Sequence, residues 1–72
     1  MHNNKAIIER NKIIGAFRKF GFMGVKSFYN VCKSVDVSLN SFDLVEFYFH
    51  GNKASIKMIT KLQAVVKVLK YE

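Results

Sequence analysis

The polar residues with the most specific chemistry in this chain stand together at positions 38–41, Ser-Leu-Asn-Ser. The amide of Asn40 carries a donor beside an acceptor, the arrangement that pairs bidentately with N6 and N7 of adenine in a DNA major groove. Ser38 and Ser41 can touch a phosphate or a base edge, so all three are candidate base-reading residues. Two plainer roles compete: Ser38 as a helix N-cap and Asn40 as a solvent-facing amide. Around the cluster lie Lys26, Lys33, Asn52 and Lys53, with Arg18 and Lys19 extending the set. Contacts from such side chains to phosphates set register on a duplex without reading its sequence. Each of these lysines is also an ordinary solvated surface charge.

Other chemistries find less support. His2 lies near the terminus and His50 at an expected helix end, neither at metal-ligand spacing with Cys32 or a carboxylate. Glu9, Asp36, Asp43 and Glu46 form no persuasive acid–base pair. Residues 21–24, Gly-Phe-Met-Gly, lack the glycine pattern and the Lys-Ser/Thr of a phosphate loop. The expectation is a non-enzyme with no catalytic residue, metal ligand or cofactor. The single Cys32 excludes an intramolecular disulfide and, beside Val31 and near Val35, reads as a buried thiol.

With 72 residues the chain is expected to form one domain near the lower size limit for independent folding, burying about 60% of its extended surface. Half of its residues are hydrophobic and seven are Phe, which argues against general disorder. The net charge of +7 favours an anionic partner, nucleic acid or an acidic surface. Residues 1–36 hold seven Lys or Arg against two acids, and residues 37–72 hold five against three. No apolar run is long enough to span a membrane, and the start does not read as a signal peptide. A cytoplasmic protein is expected.

Four elements must position these residues. Periodicity predicts a helix over 4–20, with Ile7, Ile13, Ile14, Phe17 and Phe20 on one arc with Ala6 and Ala16, ended by Gly21 and Gly24. A second is predicted from Ser27, as N-cap, to Ser34, with Phe28, Val31, Cys32 and Val35 in the helical series. Residues 35–37, Val-Asp-Val, form the joint. A third helix over 39–49, capped by Ser38, ends at His50, Gly51 and Asn52. In this reading Phe28, Val31 and Cys32 pack against Val37, Phe42 and Val45. A strand is the competing reading of 41–49, because Phe42, Leu44, Phe47 and Phe49 carry high β-propensity. The last helix, 55–71, has Ser55 as cap and Ile59, Leu62, Val65, Val66 and Leu69 on one face.

The segment from Ser27 to Phe49 resembles the small Cro/C1-type (Xre-like) helix-turn-helix regulators of phages and plasmids. The matching residues are Ser27 opening the second helix, Val37 in the turn, and Ser38 with Ser41 beginning the third. Residues 55–69 look like that family's final core helix, so the resemblance covers roughly residues 22–70. It departs where the family commonly has Gln at the start of the second helix, here Phe28 or Tyr29. It departs again in a third helix that carries Asp43 and Glu46 and no Lys or Arg. The resemblance implies a compact all-α domain of four to five helices containing a helix-turn-helix. The implied function is sequence-specific binding of double-stranded DNA by a transcriptional regulator, a repressor acting as a homodimer on a palindromic site. Three consecutive aromatics, Phe47, Tyr48 and Phe49, cannot all face inward, so Phe47 and Tyr48 are candidates for the dimer interface, with completion of the core as their alternative role.

Three other readings fit the same composition. One is a small basic helical interaction module or inhibitor that docks on an acidic protein without sequence-specific DNA binding. RNA binding is another. The third is a membrane-active cationic peptide, against which the glycine-punctuated, four-segment layout argues for a folded core.

Overall fold

A computed structural model describes residues 4–50 and 55–71 and contains four helices: α1 Asn4–Lys19, α2 Val25–Val35, α3 Ser41–Phe49 and α4 Ile56–Tyr71. Among the described residues there is no strand, so the strand reading of residues 41–49 is replaced by a helix. Its alternating apolar residues divide between faces: Leu44 and Phe47 are buried, Phe42 and Phe49 exposed. No described helix is long and apolar enough to cross a membrane. His2, Gly51, Asn52, Lys53 and Glu72 lie outside the described residues.

The end of α1 follows from Gly21. Its φ of 93° is left-handed, a conformation costly for a residue with a Cβ. There the amide of Gly21 donates to Arg18 O and that of Phe22 to Phe17 O, both at 2.9 Å. This pair of bonds satisfies carbonyls that a helix end otherwise leaves orphaned, and an apolar contact across the turn accompanies it. Phe17 and Phe22 make that contact, edge to face at 6.4 Å.

Both starts of the central helices differ from expectation. The N-cap of α2 is Gly24, with φ 84° and no side-chain cap, so Ser27 lies inside the helix rather than at its mouth. α3 begins at Ser41 with Asn40 as N-cap, not at 39 with Ser38. α4 matches its expectation: Ser55 Oγ accepts from Met58 N at 3.1 Å, and Ile59, Leu62 and Val65 are buried.

The core gathers around Phe28. Its ring meets Phe17 edge to face at 4.9 Å, stacks on Phe47 at 6.1 Å and tilts against Tyr48 at 5.4 Å, joining α1, α2 and α3. Leu39, Leu44, Leu62 and Val65 are buried in the same core. The partners expected for Phe28 and Cys32 are thus corrected: Val37 (82% exposed), Phe42 (70%) and Val45 (39%) point outward. Cys32 is fully buried, and that burial pushes its thiol pKa up to about 12, as expected of an inert core thiol rather than a reactive one.

One long-range tie holds α3 to α1. The guanidinium of Arg10 donates through Nε to Phe47 O at 3.1 Å and through Nη2 to Tyr48 O. These are carbonyls of the last turn of α3, where helix partial charge is negative and the helix has no cation of its own. Hydrogen bonds from a charged donor contribute about 1.5–3 kcal/mol. Arg10→Ala should therefore lower unfolding stability by about 2 kcal/mol in a urea titration. Arg10→Lys should recover only part of that, since an ammonium lacks the planar fork that serves two carbonyls.

Candidate nucleic-acid interface

The polar cluster at 38–41 sits on the connector of five residues, 36–40, between α2 and α3. Asp36 closes the end of α2 through its amide, which donates to Cys32 O at 2.9 Å. Its carboxylate then accepts from Ser38 Oγ at 2.6 Å and from Ser38 N at 3.0 Å. Those two bonds, with the charge of Lys61 adding to them, hold the Asp36 carboxyl below its usual pKa. Leu39, 1% exposed, plugs the joint into the core. Next, Asn40 Oδ1 accepts from Phe42 N at 2.8 Å and Asp43 N at 3.3 Å. Ser41 Oγ donates to Tyr29 Oη at 3.1 Å, tying the start of α3 to α2.

The three candidate base-reading side chains are brought together, and each has a local bond. Ser38 is turned back onto Asp36 and Ser41 onto Tyr29. Asn40 holds the first turn of α3, and adenine pairing would need the same Oδ1 as acceptor. An N-cap of this kind stabilises by about 1 kcal/mol. Asn40→Ala should cost about that much in thermal or urea unfolding, and Asn40→Ser, which caps comparably but cannot pair bidentately with adenine, should restore most of it.

Beyond the cap, the side chains presented outward by the first turn of α3 are Phe42 and Asp43. Lysines of two neighbouring helices bear on this turn. On α2, Lys26 and Lys33 lie one turn before and one turn after Tyr29, whose hydroxyl touches Ser41; residues three and four apart share a helix face. On α4, Lys57 and Lys61 line a groove of about 360 Å³ with Phe42, Asp43 and Glu46, over Phe47 and Met58. None of these lysines is within ion-pair distance of a carboxylate among the described residues, where the ion pairs are Lys12–Glu9 and His50–Glu46. Arg18 and Lys19 are exposed in the last turn of α1. Asn52 and Lys53, expected at phosphates, lie outside the described residues.

The aromatic residues of α3 divide differently from the expected dimer pair. Phe47 is 2% exposed and stacked on Phe28, so it belongs to the core and offers no surface to a partner. Tyr48 is half-buried against Phe28. The exposed stripe is instead Phe42, Val45 and Phe49, the last 60% exposed. Sequence reading missed Phe42 as a surface residue and Lys57 and Lys61 as its neighbours. The i, i+4 spacing of those two lysines marks one face of α4, but which helix lies beside that face is a tertiary fact.

In comparisons with known proteins, no family model matches the chain, and no curated protein or solved structure matches it.

Proposed function

We propose that this chain is a double-stranded DNA-binding transcriptional regulator, not an enzyme, in which α2 and α3 act as a helix-turn-helix. The first turn of α3 would enter the major groove. The observation that carries the reading is an outward-facing helix tip that shares a groove with Lys57 and Lys61 of α4; Lys26 and Lys33 share the face of α2 whose Tyr29 meets Ser41. A major groove is about 12 Å wide between two walls of phosphate, with base edges at its floor. Lys26 and Lys33 of α2 and Lys57 and Lys61 of α4 suit the walls, while Phe42 and Asp43 face the floor. Asp43 would be repelled by phosphate but accepts from the amino group of cytosine. Its place at the tip, in the groove with Lys57 and Lys61, fits that division. The overall charge of +7 supplies the long-range attraction. Working as a cytoplasmic repressor, the protein would bind as a two-fold dimer, with half-sites about 34 Å apart.

The test is selection of duplexes from a library with a random core, followed by fluorescence anisotropy on the enriched duplex and a scrambled one across a salt series. The reading expects a preference of at least ~100-fold for the enriched duplex, with affinity for both falling as salt rises. Equal, weak binding to both would overturn it.

A second reading has its own observation. The stripe of Phe42, Val45 and Phe49 presents apolar surface along the length of α3, the i, i+3, i+7 layout by which a helix docks into a protein groove. A small basic interaction module or inhibitor would use all three residues, including Phe49 at the end remote from the lysine-flanked tip. A reduced DNA preference with Phe42→Ala but not with Phe49→Ala separates the two readings.

A further inference from the structure

We propose that Phe42 is the specificity-determining residue of this surface and that it reads the C5-methyl group of a thymine, with Asp43 taking the amino group of a neighbouring cytosine. The inference rests on the DNA-binding reading above and goes beyond it by naming the bases. Phe42 is the second residue of α3 and 70% exposed, a position from which a recognition helix reaches base edges. An aromatic ring so placed has no hydrogen bond to offer. The major-groove feature it can recognise is the thymine methyl, the one apolar group that a base pair displays there. Its backbone is fixed for the purpose: the Phe42 amide is held by Asn40 Oδ1 at 2.8 Å, and the adjoining Ser41 is tied to Tyr29. Asp43, next in sequence and held by the same cap at 3.3 Å, brings an acceptor and no donor, which selects an amino group over a carbonyl. Cytosine N4 is the amino group that a carboxylate reads in this groove.

Both acid and ring are flanked by Lys57 and Lys61 along the α3–α4 groove, so a duplex seated on those lysines brings its base edges to these two side chains. The polar residues that would otherwise read bases are occupied in building the turn. The site therefore recognises a pair of neighbouring pyrimidines, thymine and cytosine, by one apolar and one polar contact.

The experiment takes the duplex enriched by the full chain and replaces each thymine in turn with deoxyuridine, which lacks only the methyl group. At one position the replacement should weaken wild-type binding about fourfold, the worth of one buried methyl-sized group. The same replacement should leave Phe42→Ala unaffected. Because Phe42 is largely exposed, that variant should keep its unfolding midpoint, which circular dichroism checks. Repeating the selection with Asp43→Ala should relax the choice at the adjoining cytosine alone. If deoxyuridine is tolerated at every position while the preference for the enriched duplex persists, the thymine assignment is wrong and the DNA-binding reading stands. If no duplex is enriched at all, both fall together.

Discussion

Replacing Phe28 with alanine is expected to remove a large share of the stability of this domain. The ring bridges three helices through Phe17, Phe47 and Tyr48 and is fully buried. Truncating such a residue costs about 3–5 kcal/mol, transfer and cavity together. For 72 residues, at roughly 0.05–0.15 kcal/mol per residue, the whole margin is about 4–11 kcal/mol. The loss should appear as a large fall in the urea midpoint or, at the low end of that range, as a chain unfolded without denaturant. Phe42→Ala is the matched control, the same side chain removed from the same small domain. Being mostly exposed, it should move stability by no more than about 0.5 kcal/mol. If Phe42→Ala proved as damaging as Phe28→Ala, α3 would have to present the opposite face to the core.

The second large effect concerns the lysines. Changing Lys26, Lys33, Lys57 and Lys61 together to glutamine should weaken duplex binding on the order of 100-fold near 0.1 M salt. It should also flatten the slope of log affinity against log salt by about 3–4, roughly 0.9 for each phosphate that is no longer neutralised. Enriched and scrambled duplexes should suffer alike, because phosphate contacts carry no sequence information. Changing Lys67 and Lys70, farther along α4, should alter the slope far less. Equal effects per lysine from both sets would mean that attraction comes from net charge alone.

Helix existence was largely legible in the sequence, because period and caps agree where one face of a helix is apolar. α4 is the clearest example: Ile59, Leu62 and Val65 are spaced by threes and Ser55 stands ready to cap them. The face of α3 was not legible. Phe42, Val45 and Phe49 make one helical stripe and Leu44, Phe47 and Tyr48 another, so periodicity cannot choose between them. The choice follows from the connector. Asp36 takes the hydroxyl of Ser38, the cap passes to Asn40, and Leu39 drops into the core ahead of the helix. A cap displaced by two residues goes with a different start, and the aromatic residue expected inside faces out.

The start of α2 was hidden for a related reason. Ser27 is the conventional capping residue, yet the chain enters the helix earlier, through the left-handed backbone of Gly24. Arg10 was silent in the sequence altogether, since its partners are backbone carbonyls 37 and 38 positions away. As for the candidate site, the lysines of α2 could be named from charge and proximity to the polar cluster. Those of α4 needed the packing that sets α4 beside the start of α3.

The most direct test of the central claim is a titration of the ¹⁵N-labelled protein with the enriched duplex, followed amide by amide. The largest shifts are expected in the first turn of α3, at Ser41, Phe42 and Asp43, with a second set around Lys26 and at the start of α4 near Lys57. Shifts confined to α1 or the far end of α4, with the first turn of α3 unmoved, would contradict it.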